Sequence, residues 1–384
     1  MIKIFITFLS YILIFFNTNL FSDEVENKLK IGLLAPFSGE YKYLGNSLLM
    51  STQLALDEIG DDKILIIPRN SGSKDKEQLN KAIKEIVESG AKIIIGPVDS
   101  DNFEELKKYK DVIFISLSNK DPGIKQNIIS IGISFDSQMD ALEEFIVSQK
   151  KKKTIIMYPQ NQYSDLIERR IKKTKLKNYK IFKYNSDPKI LTGEIEKLTN
   201  YPQRKRNLEI RKKLLQQKED LQSINELNKL EQRYTLGKVN FDSVIIIDFG
   251  NNLKSVLASL AFVDVNDTDV LLTTVNQWFD ESIFYENSVK NLYYPSVNLK
   301  NFKKYNDKYV KTFNLQPNEI TILAYDALGL VYYIWKKNNR IDSINDFLLK
   351  SEIKGKIGSF KFNNGKVSQK LNIYKTEDKK FIKY

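Results

Sequence analysis

Short apolar runs alternate along the chain with longer segments in which apolar residues recur every three or four positions. The first apolar run, 31–37, is unbroken, which is typical of a parallel strand buried on both faces. From Leu48 onward the apolar positions follow helical spacing, with Asn46 expected as the N-cap and Gly60 as the helix stop. The segment 30–60 is therefore predicted to contain one strand, one loop and one helix.

The same unit repeats. Strands are predicted to begin at 30, 63, 92 and 112, and again at 154, 180, 243 and 270. Alternation at this pitch predicts βαβ units with right-handed crossovers and parallel sheets. One spacing is too long, and the excess falls on 203–233, which has no Gly or Pro and is predicted to be a helical insertion. Two interpretations remain open: a solvated helix or hairpin leaning on the second domain, or a helix presented to a protein partner.

The last part of the chain has a different pattern. Helices are expected at 298–313 and from Pro317 to Trp335, followed by a β-like end with a turn at 363–365 and a last strand near Phe381. This order of elements favours two sheets joined by several crossing strands. Such an arrangement allows hinge motion between the two sheets.

The length of 384 residues fits two hydrophobic cores. At the start, Lys3 and an uncharged apolar run at 4–16 predict a cleaved signal peptide over residues 1–22 and a periplasmic location. Leu20 and Phe21 make a poor cleavage site, so an uncleaved membrane anchor remains the alternative.

The chain contains no cysteine and no histidine. This excludes a lipid-attachment cysteine, disulfides, Cys or His nucleophile pairs and zinc sites, so the protein is predicted to be neither a lipoprotein nor an enzyme, and to hold no metal or cofactor. The net charge is +12, which we interpret mainly as solvated lysine. Export weakens the case for nucleic acid, which is not expected as a partner.

A series of short motifs resembles a known family. The motifs are IGLLAPFSG at 31–39, QLALDE at 53–58, IGP at 95–97 with Ser100, AYDA at 324–327, and GKIGSF at 355–360 followed by Asn364-Gly365. In this order they are similar to the type I periplasmic solute-binding proteins of the leucine/isoleucine/valine-binding class. Within that class the helical insertion and the segment around Trp278 resemble the penicillin-binding-protein activators.

The resemblance implies an α/β fold of two doubly wound parallel-sheet lobes, joined by three crossovers, with a ligand cleft between them. The expected first lobe is 29–133 plus 298–356. The expected second lobe is 134–297 plus 357–384, with the helical insertion at 199–237.

The candidate site combines residues from both lobes. Ser38 follows the first strand at the edge where open α/β sheets bind ligands. The resemblance adds small hydroxyls and backbone N–H groups that hold a ligand carboxylate in the first lobe, and an aromatic side chain that closes over the ligand from the second. The predicted ligand-binding residues are Ser38, Ser100, Ser116, Ser118, Asn119, Tyr163, Asn251 and Trp278.

Each of these residues also has a structural interpretation. Ser38 can satisfy a turn, Ser100 can cap a helix, and Ser116 and Ser118 can bond locally. Tyr163 and Trp278 can serve packing alone.

The sequence departs from the family where the ligand ammonium is expected to find its acidic partner. After the strand at 243–248 it has Gly250-Asn251-Asn252. Asn251 can accept a hydrogen bond but supplies no charge. Free amino acids are therefore doubtful ligands unless Asp248 supplies the carboxylate.

Two functions are consistent with these features. The first is a periplasmic receptor of an ABC-type transport system that binds an amino acid, a branched-chain amino acid or a related small polar ligand, and hands it to an inner-membrane permease. The alternative is an envelope regulatory protein that activates a penicillin-binding protein in peptidoglycan synthesis through protein–protein contact. Asp326, inside an apolar helix, is expected to form a buried cap or an interlobe hydrogen bond.

Overall fold

The computed structural model describes residues 28–120, 127–285, 291–349, 351–363 and 366–384. The predicted signal peptide and part of the predicted turn at 363–365 lie outside these residues. The first sheet contains the parallel strands β1 (Leu29–Ala35), β2 (Ile64–Asn70), β3 (Ile93–Ile95), β4 (Ile113–Ser116) and β5 (Ile128–Ser130). They lie in the order β2-β1-β3-β4-β5, so β1 and β3 occupy neighbouring inner positions.

The second sheet is larger. Its strands are β6 (Thr154–Pro159), β7 (Tyr179–Tyr184), β8 (Ser243–Ile246), β9 (Leu271–Thr274), β10 (Tyr293–Ser296), β14 (Asn372–Glu377) and β15 (Lys380–Lys383). They lie in the order β15-β14-β10-β9-β8-β6-β7, with the chain-terminal hairpin β14-β15 added antiparallel to β10. A third, antiparallel sheet is formed by β11 (Ile353–Lys354), β12 (Ser359–Asn363) and β13 (Lys366–Lys370).

Helices cover both faces of the two large sheets. They are α1 (Lys42–Ile59), α2 (Lys76–Glu88), α3 (Phe103–Leu106), α4 (Phe135–Ser148), α5 (Ser164–Ile171), α6 (Pro188–Leu198), α7 (Tyr201–Gln216), α8 (Leu221–Glu231), α9 (Gly250–Phe262), α10 (Leu299–Phe313) and α11 (Thr321–Asn338). Separate buried clusters lie on the two faces of the first sheet and on the two faces of the second. The predicted α/β class with doubly wound parallel sheets is confirmed. We call each large sheet with its helices a lobe.

Several element bounds differ from the predicted ones. α1 begins at Lys42, so Asn46 lies within the helix and is not its N-cap. The first turn is largely solvent-facing, and so it carries no apolar periodicity that the sequence could show. Helix α11 begins at Thr321, after the predicted start at Pro317, because Asn318 forms a preceding turn in which its carbonyl accepts from Thr321 N at 3.0 Å.

The insertion is a helical hairpin of α7 and α8 with a small apolar core of Leu208, Leu215 and Leu230. Arg204 joins this hairpin to the second lobe. Its guanidinium is buried and donates to the carbonyls of Gly237, Val263 and Asp264 and to the hydroxyl of Thr235, at 2.8–3.1 Å. A buried cation is stable here because its donors meet acceptors in the folded chain.

The chain passes between the two lobes after β5, after β10, and through the third sheet before β14. Within the described residues, no helix combines the length and apolarity that are needed to cross a membrane.

Candidate ligand-binding cleft

Three neighbouring strands of the first sheet end at the edge where the serine-bearing loops begin. Strands β1, β3 and β4 are adjacent and parallel, so their carboxyl ends meet at one edge of the sheet. Ser38 follows β1, Ser100 follows β3, and Ser118 with the exposed Asn119 follows β4. The fold therefore places these first-lobe candidates along one edge.

Asn70, the last residue of β2, fixes the loop that carries Ser38. Its side-chain amide donates to Ser38 Oγ at 2.7 Å, and its side-chain carbonyl accepts from Phe37 N at 3.0 Å and Gly72 N at 3.2 Å. Ser38 is exposed and keeps its hydroxyl hydrogen for another acceptor. Asn70 was not among the predicted site residues, although a polar residue that ends an apolar strand was a usable signal.

Ser116 shapes the neighbouring loop. It is fully buried, and its hydroxyl donates to Pro97 O at 3.0 Å and accepts from Ser118 N at 3.2 Å. These bonds use the only hydrogen of the hydroxyl, so the local hydrogen bonding considered for Ser116 accounts for the presence of a serine here. Gly96, before Pro97, has φ 103°, and a Cβ there would lie 2.1 Å from Leu34 O, so the close approach requires glycine.

Ser118 and Ser100 differ in their local roles. Ser118 Oγ accepts from Lys120 N at 3.1 Å, which leaves its hydroxyl hydrogen available to an acceptor on a ligand. Ser100 begins a short 3₁₀ turn, but Asp99 is the N-cap of that turn, since its carboxylate accepts from Asp101 N at 2.9 Å. The capping role considered for Ser100 therefore belongs to Asp99.

The second lobe presents Tyr163 in the loop between β6 and α5. Tyr163 is 52% exposed, and its N–H donates to Asn161 Oδ1 at 2.9 Å. Ser164 is buried and stabilises the same loop: its Oγ donates to Pro159 O at 3.2 Å and accepts from Asn161 N at 3.1 Å. These bonds fix the loop that carries Tyr163.

Asp248, the possible partner for a ligand ammonium, is bound by its own lobe. It is buried, and its carboxylate accepts from Tyr184 OH at 2.6 Å and from Phe249 N at 2.8 Å. Burial, together with this carboxylate, raises the pKa of Tyr184 far above its usual value, so the phenol stays a hydrogen-bond donor. The next candidate, Asn251, is exposed in the first turn of α9. The loop after β8 therefore offers an amide and no exposed carboxylate.

Trp278 lies where the second lobe meets the first. Its backbone N–H donates to Asn276 Oδ1 at 2.8 Å, and its φ of 52° is unusual for a bulky residue. The half-buried ring packs against the first-lobe core, with its centroid 6.2 Å from that of Phe302. This contact indicates a packing role at the lobe junction.

Asp326 fixes the third crossover. Its two carboxylate oxygens accept from Lys356 N at 2.8 Å and Ile357 N at 2.9 Å, and a Cβ on Gly355 would lie 2.4 Å from Oδ2. Asn298 N, at the second crossover, donates to Ile357 O at 3.2 Å. Asp326 therefore forms a buried hydrogen-bonded clamp on the connecting strand, in line with its expected role.

Gln369 performs a similar task at the first crossover. Its buried side chain donates to Ile131 O at 3.1 Å and Gly132 O at 2.7 Å, and accepts from Ser134 N at 3.2 Å. Gly132 N in turn donates to Ser118 O at 3.1 Å, so this crossover also supports a candidate loop.

The structure shows no direct link between the candidate residues of the two lobes within the residues that it describes. In the part of the chain that is described, no hydrogen bond joins the first-lobe candidates to those of the second lobe. Cavities of about 460, 720 and 220 Å³ occur in the structure, and none of the three is lined by a candidate residue. Over the described ranges, no group of three or more acidic side chains could hold a metal ion.

Comparison with known proteins supports the fold. Residues 28–177 match the family model described as periplasmic binding protein, which covers less than half of the chain. Comparison with curated proteins gives no match.

Solved structures align with nearly the whole chain. A putative branched-chain amino acid ABC transporter protein from Rhodospirillum rubrum has a TM-score of 0.69 at 10% identity, covering 93% of this chain and 100% of that one. LivJ from Streptococcus pneumoniae, a branched-chain amino acid transporter substrate binding protein in complex with isoleucine, has a TM-score of 0.55 at 17% identity, with coverages of 93% and 100%. The C-domain of LpoA from Haemophilus influenzae, a regulator of PBP1A, has a TM-score of 0.61 at 14% identity, with coverages of 92% and 99%.

At these identities the alignments define the fold, which is that of the type I periplasmic binding proteins. The resemblance predicted from the sequence is confirmed at this level, since branched-chain amino acid binding proteins and LpoA both occur among the structures that align with the chain.

Proposed function

We propose that the protein is a periplasmic receptor, not an enzyme, that closes its two lobes around a small polar solute and delivers it to an inner-membrane ABC permease. The observation that carries the proposal is the single edge of the first sheet where Ser38, Ser100 and Ser118 follow neighbouring parallel strands. Hydroxyl and backbone donors at such an edge suit a ligand carboxylate. The family match is in keeping with a periplasmic location.

The second lobe narrows the class of ligand. A buried ammonium needs a charged or well-placed acceptor, and the carboxylate of Asp248 is bound to Tyr184 and Phe249. Asn251 offers only a neutral amide. We therefore expect carboxylates without an α-ammonium to bind more tightly than the corresponding amino acids.

Calorimetry with matched ligands tests this proposal. Leucine and 2-hydroxy-4-methylpentanoate differ only at the α-carbon, which carries an ammonium in leucine and a hydroxyl in the hydroxy acid. A wider thermal-shift screen would add other amino acids, peptides and cell-wall fragments. The receptor proposal predicts that at least one compound binds, with the hydroxy acid binding more tightly than leucine. If none produces heat or a thermal shift, the proposal fails.

A pair of serine variants tests whether the ligand binds at the proposed edge of the first sheet. Ser118→Ala removes a hydroxyl that is free to donate to a ligand carboxylate, and a bond of this kind is worth roughly ten- to hundredfold in affinity. Ser148→Ala is the matched control, because this exposed hydroxyl at the end of α4 donates to Phe145 O and follows no strand of the first sheet's proposed edge. Equal affinities for the two variants would contradict the proposed site.

The alternative function, an envelope regulator that activates a penicillin-binding protein, is favoured by the α7–α8 hairpin. Arg204 holds this hairpin firmly, while Ile210 and Leu214 on α7 remain about half exposed. Exposed apolar side chains on a rigid helix are suitable anchors for a protein partner.

Direct binding to a purified penicillin-binding protein tests this alternative. Ile210→Glu with Leu214→Glu should abolish binding, whereas Val147→Glu, at a comparably exposed position on α4, should not. If the double variant binds as well as the wild type, the hairpin has no such role.

A further inference from the structure

The exposed face of helix α10 consists almost entirely of lysine. Between positions 300 and 311 the exposed residues are Lys300, Lys303, Lys304, Asp307, Lys308 and Lys311. Five lysines and one aspartate give this face a net charge of +4 over a length of about 16 Å. No element of the proposed ligand site uses it.

The orientation of this face is fixed by the opposite side of the helix. Tyr305 and Tyr309 are buried, Tyr305 OH donates to Ser51 Oγ at 2.8 Å, and Tyr309 OH lies 3.3 Å from the sulfur of Met50. Both contacts are with α1, so α10 cannot turn its lysines toward the protein interior.

Among the residues that the structure describes, one of the five lysines, Lys308, forms an ion pair. Lys308 Nζ lies 2.9 Å from Glu58, which also pairs with Lys356. Burial opposes ionisation of Glu58, but hydrogen bonds from Tyr325 and the two lysines hold its pKa at about 2.

The other four lysines have no carboxylate partner within 4 Å among the residues that the structure describes; we call them the lysine face. They are Lys300, Lys303, Lys304 and Lys311.

The composition of this surface indicates the kind of partner that it suits. A specific protein interface usually has aromatic, apolar or arginine anchors at its centre, and the exposed positions 300–311 contain none. Lysine is a flexible point charge without the bidentate geometry of arginine. Several unpaired lysines on a rigid, convex helix therefore complement a diffuse anionic surface better than an acidic groove or peptide.

We propose that the lysine face of α10 docks the protein on a membrane that contains anionic phospholipid. Each lysine close to such a surface contributes about fivefold to partitioning, and the attraction decays within a Debye length. Docking of this kind is reversible and depends on salt. It is independent of the solute cleft, which is formed by other loops.

Vesicle co-sedimentation of the full chain tests the proposal. Binding is measured on vesicles of 40% phosphatidylglycerol in phosphatidylcholine and on pure phosphatidylcholine, and the difference reports the electrostatic part even if the N-terminal apolar segment also binds lipid. Lys300→Gln, Lys303→Gln, Lys304→Gln and Lys311→Gln are combined in one variant. The matched control combines Lys172→Gln, Lys173→Gln, Lys177→Gln and Lys180→Gln, four exposed lysines of the second lobe.

Four lysines at about fivefold each give a factor of about 600, so we expect the phosphatidylglycerol-dependent affinity of the α10 variant to fall by several hundredfold and that of the control to fall much less. Wild-type binding should also disappear as NaCl is raised from 50 to 500 mM. Thermal unfolding should be similar for the wild type and both variants, because all eight side chains are exposed.

Three results would overturn the proposal. The first is that the wild type shows no preference for anionic vesicles. The second is that both variants lose binding equally, which would indicate that binding depends on the net charge of the protein and not on the lysine face. The third is that the α10 variant keeps its vesicle binding and loses binding to polyglutamate, which would assign the face to an acidic polypeptide.

Discussion

The Asp326 clamp predicts a specific dependence of stability on pH. Asp326 is buried, and each of its oxygens accepts one backbone N–H of the third crossover. Burial raises its pKa from 3.8 to about 6, although the bonds from Lys356 and Ile357 act in the opposite direction. Asp326→Asn keeps the size of the side chain and removes its titration.

The sign follows from the raised pKa. The folded state binds the proton of Asp326 more tightly than the unfolded state, so the stability linked to that proton is present below about pH 4 and is lost as the pH rises through 6. For a shift from 3.8 to about 6, the loss between pH 4.5 and pH 7.5 is about 2 kcal/mol. The asparagine variant lacks this contribution.

Urea unfolding of both proteins, followed by circular dichroism at pH 4.5 and pH 7.5, measures the effect. All other titrating groups cancel in the difference between the two proteins. We expect the wild-type free energy of unfolding, relative to the Asp326→Asn variant, to fall by about 2 kcal/mol as the pH rises. A difference that stays constant, or that grows with pH, would refute the reasoning.

Three further changes test other parts of the structure. Arg204→Met removes four hydrogen bonds, two of them to the buried acceptors of Thr235 and Val263, and should cost about 3 kcal/mol in urea unfolding and expose the hairpin to proteolysis, whereas the exposed Arg206→Met should do neither. Tyr294→Phe removes a buried hydroxyl that has no hydrogen-bond partner in the described structure, so the free energy of unfolding, measured by urea unfolding, should stay constant or rise; a loss above about 1 kcal/mol would contradict this. Gly132→Ala would place a Cβ 2.3 Å from Ser118 O, and calorimetry should show weaker ligand binding with the fold retained; unchanged affinity would separate this loop from the site.

Much of the fold could be predicted because buried parallel strands leave continuous apolar runs. Ile31, Leu33 and Leu34 are almost completely buried, and the stop at Gly60 is confirmed by its left-handed backbone. The start of α1 could not be predicted in the same way, since its solvent-facing first turn has no apolar periodicity.

The candidate site was less predictable, because a serine in a loop has the same sequence signature whether it bonds a ligand or its neighbours. The two serines differ only in the folded structure, where the hydroxyl hydrogen of Ser116 is donated to Pro97 O and that of Ser118 is free. Pairings between distant segments, such as that of Asp248 with Tyr184, also leave no local pattern.

The most direct test of the receptor proposal is the distance between the two lobes with and without a bound carboxylate. The chain has no cysteine, so Lys74→Cys and Lys189→Cys provide two unique positions for spin labels. Both are exposed. Lys74 lies in the loop after β2, and Lys189 lies in the first turn of α6, which follows β7, so both positions are near the carboxyl edges of the two sheets. Pulsed electron–electron double resonance should show a shorter distance between the two spin labels when 2-hydroxy-4-methylpentanoate, or a tighter ligand from the screen, is bound. An unchanged distance distribution at saturating ligand would contradict closure of the lobes around a solute.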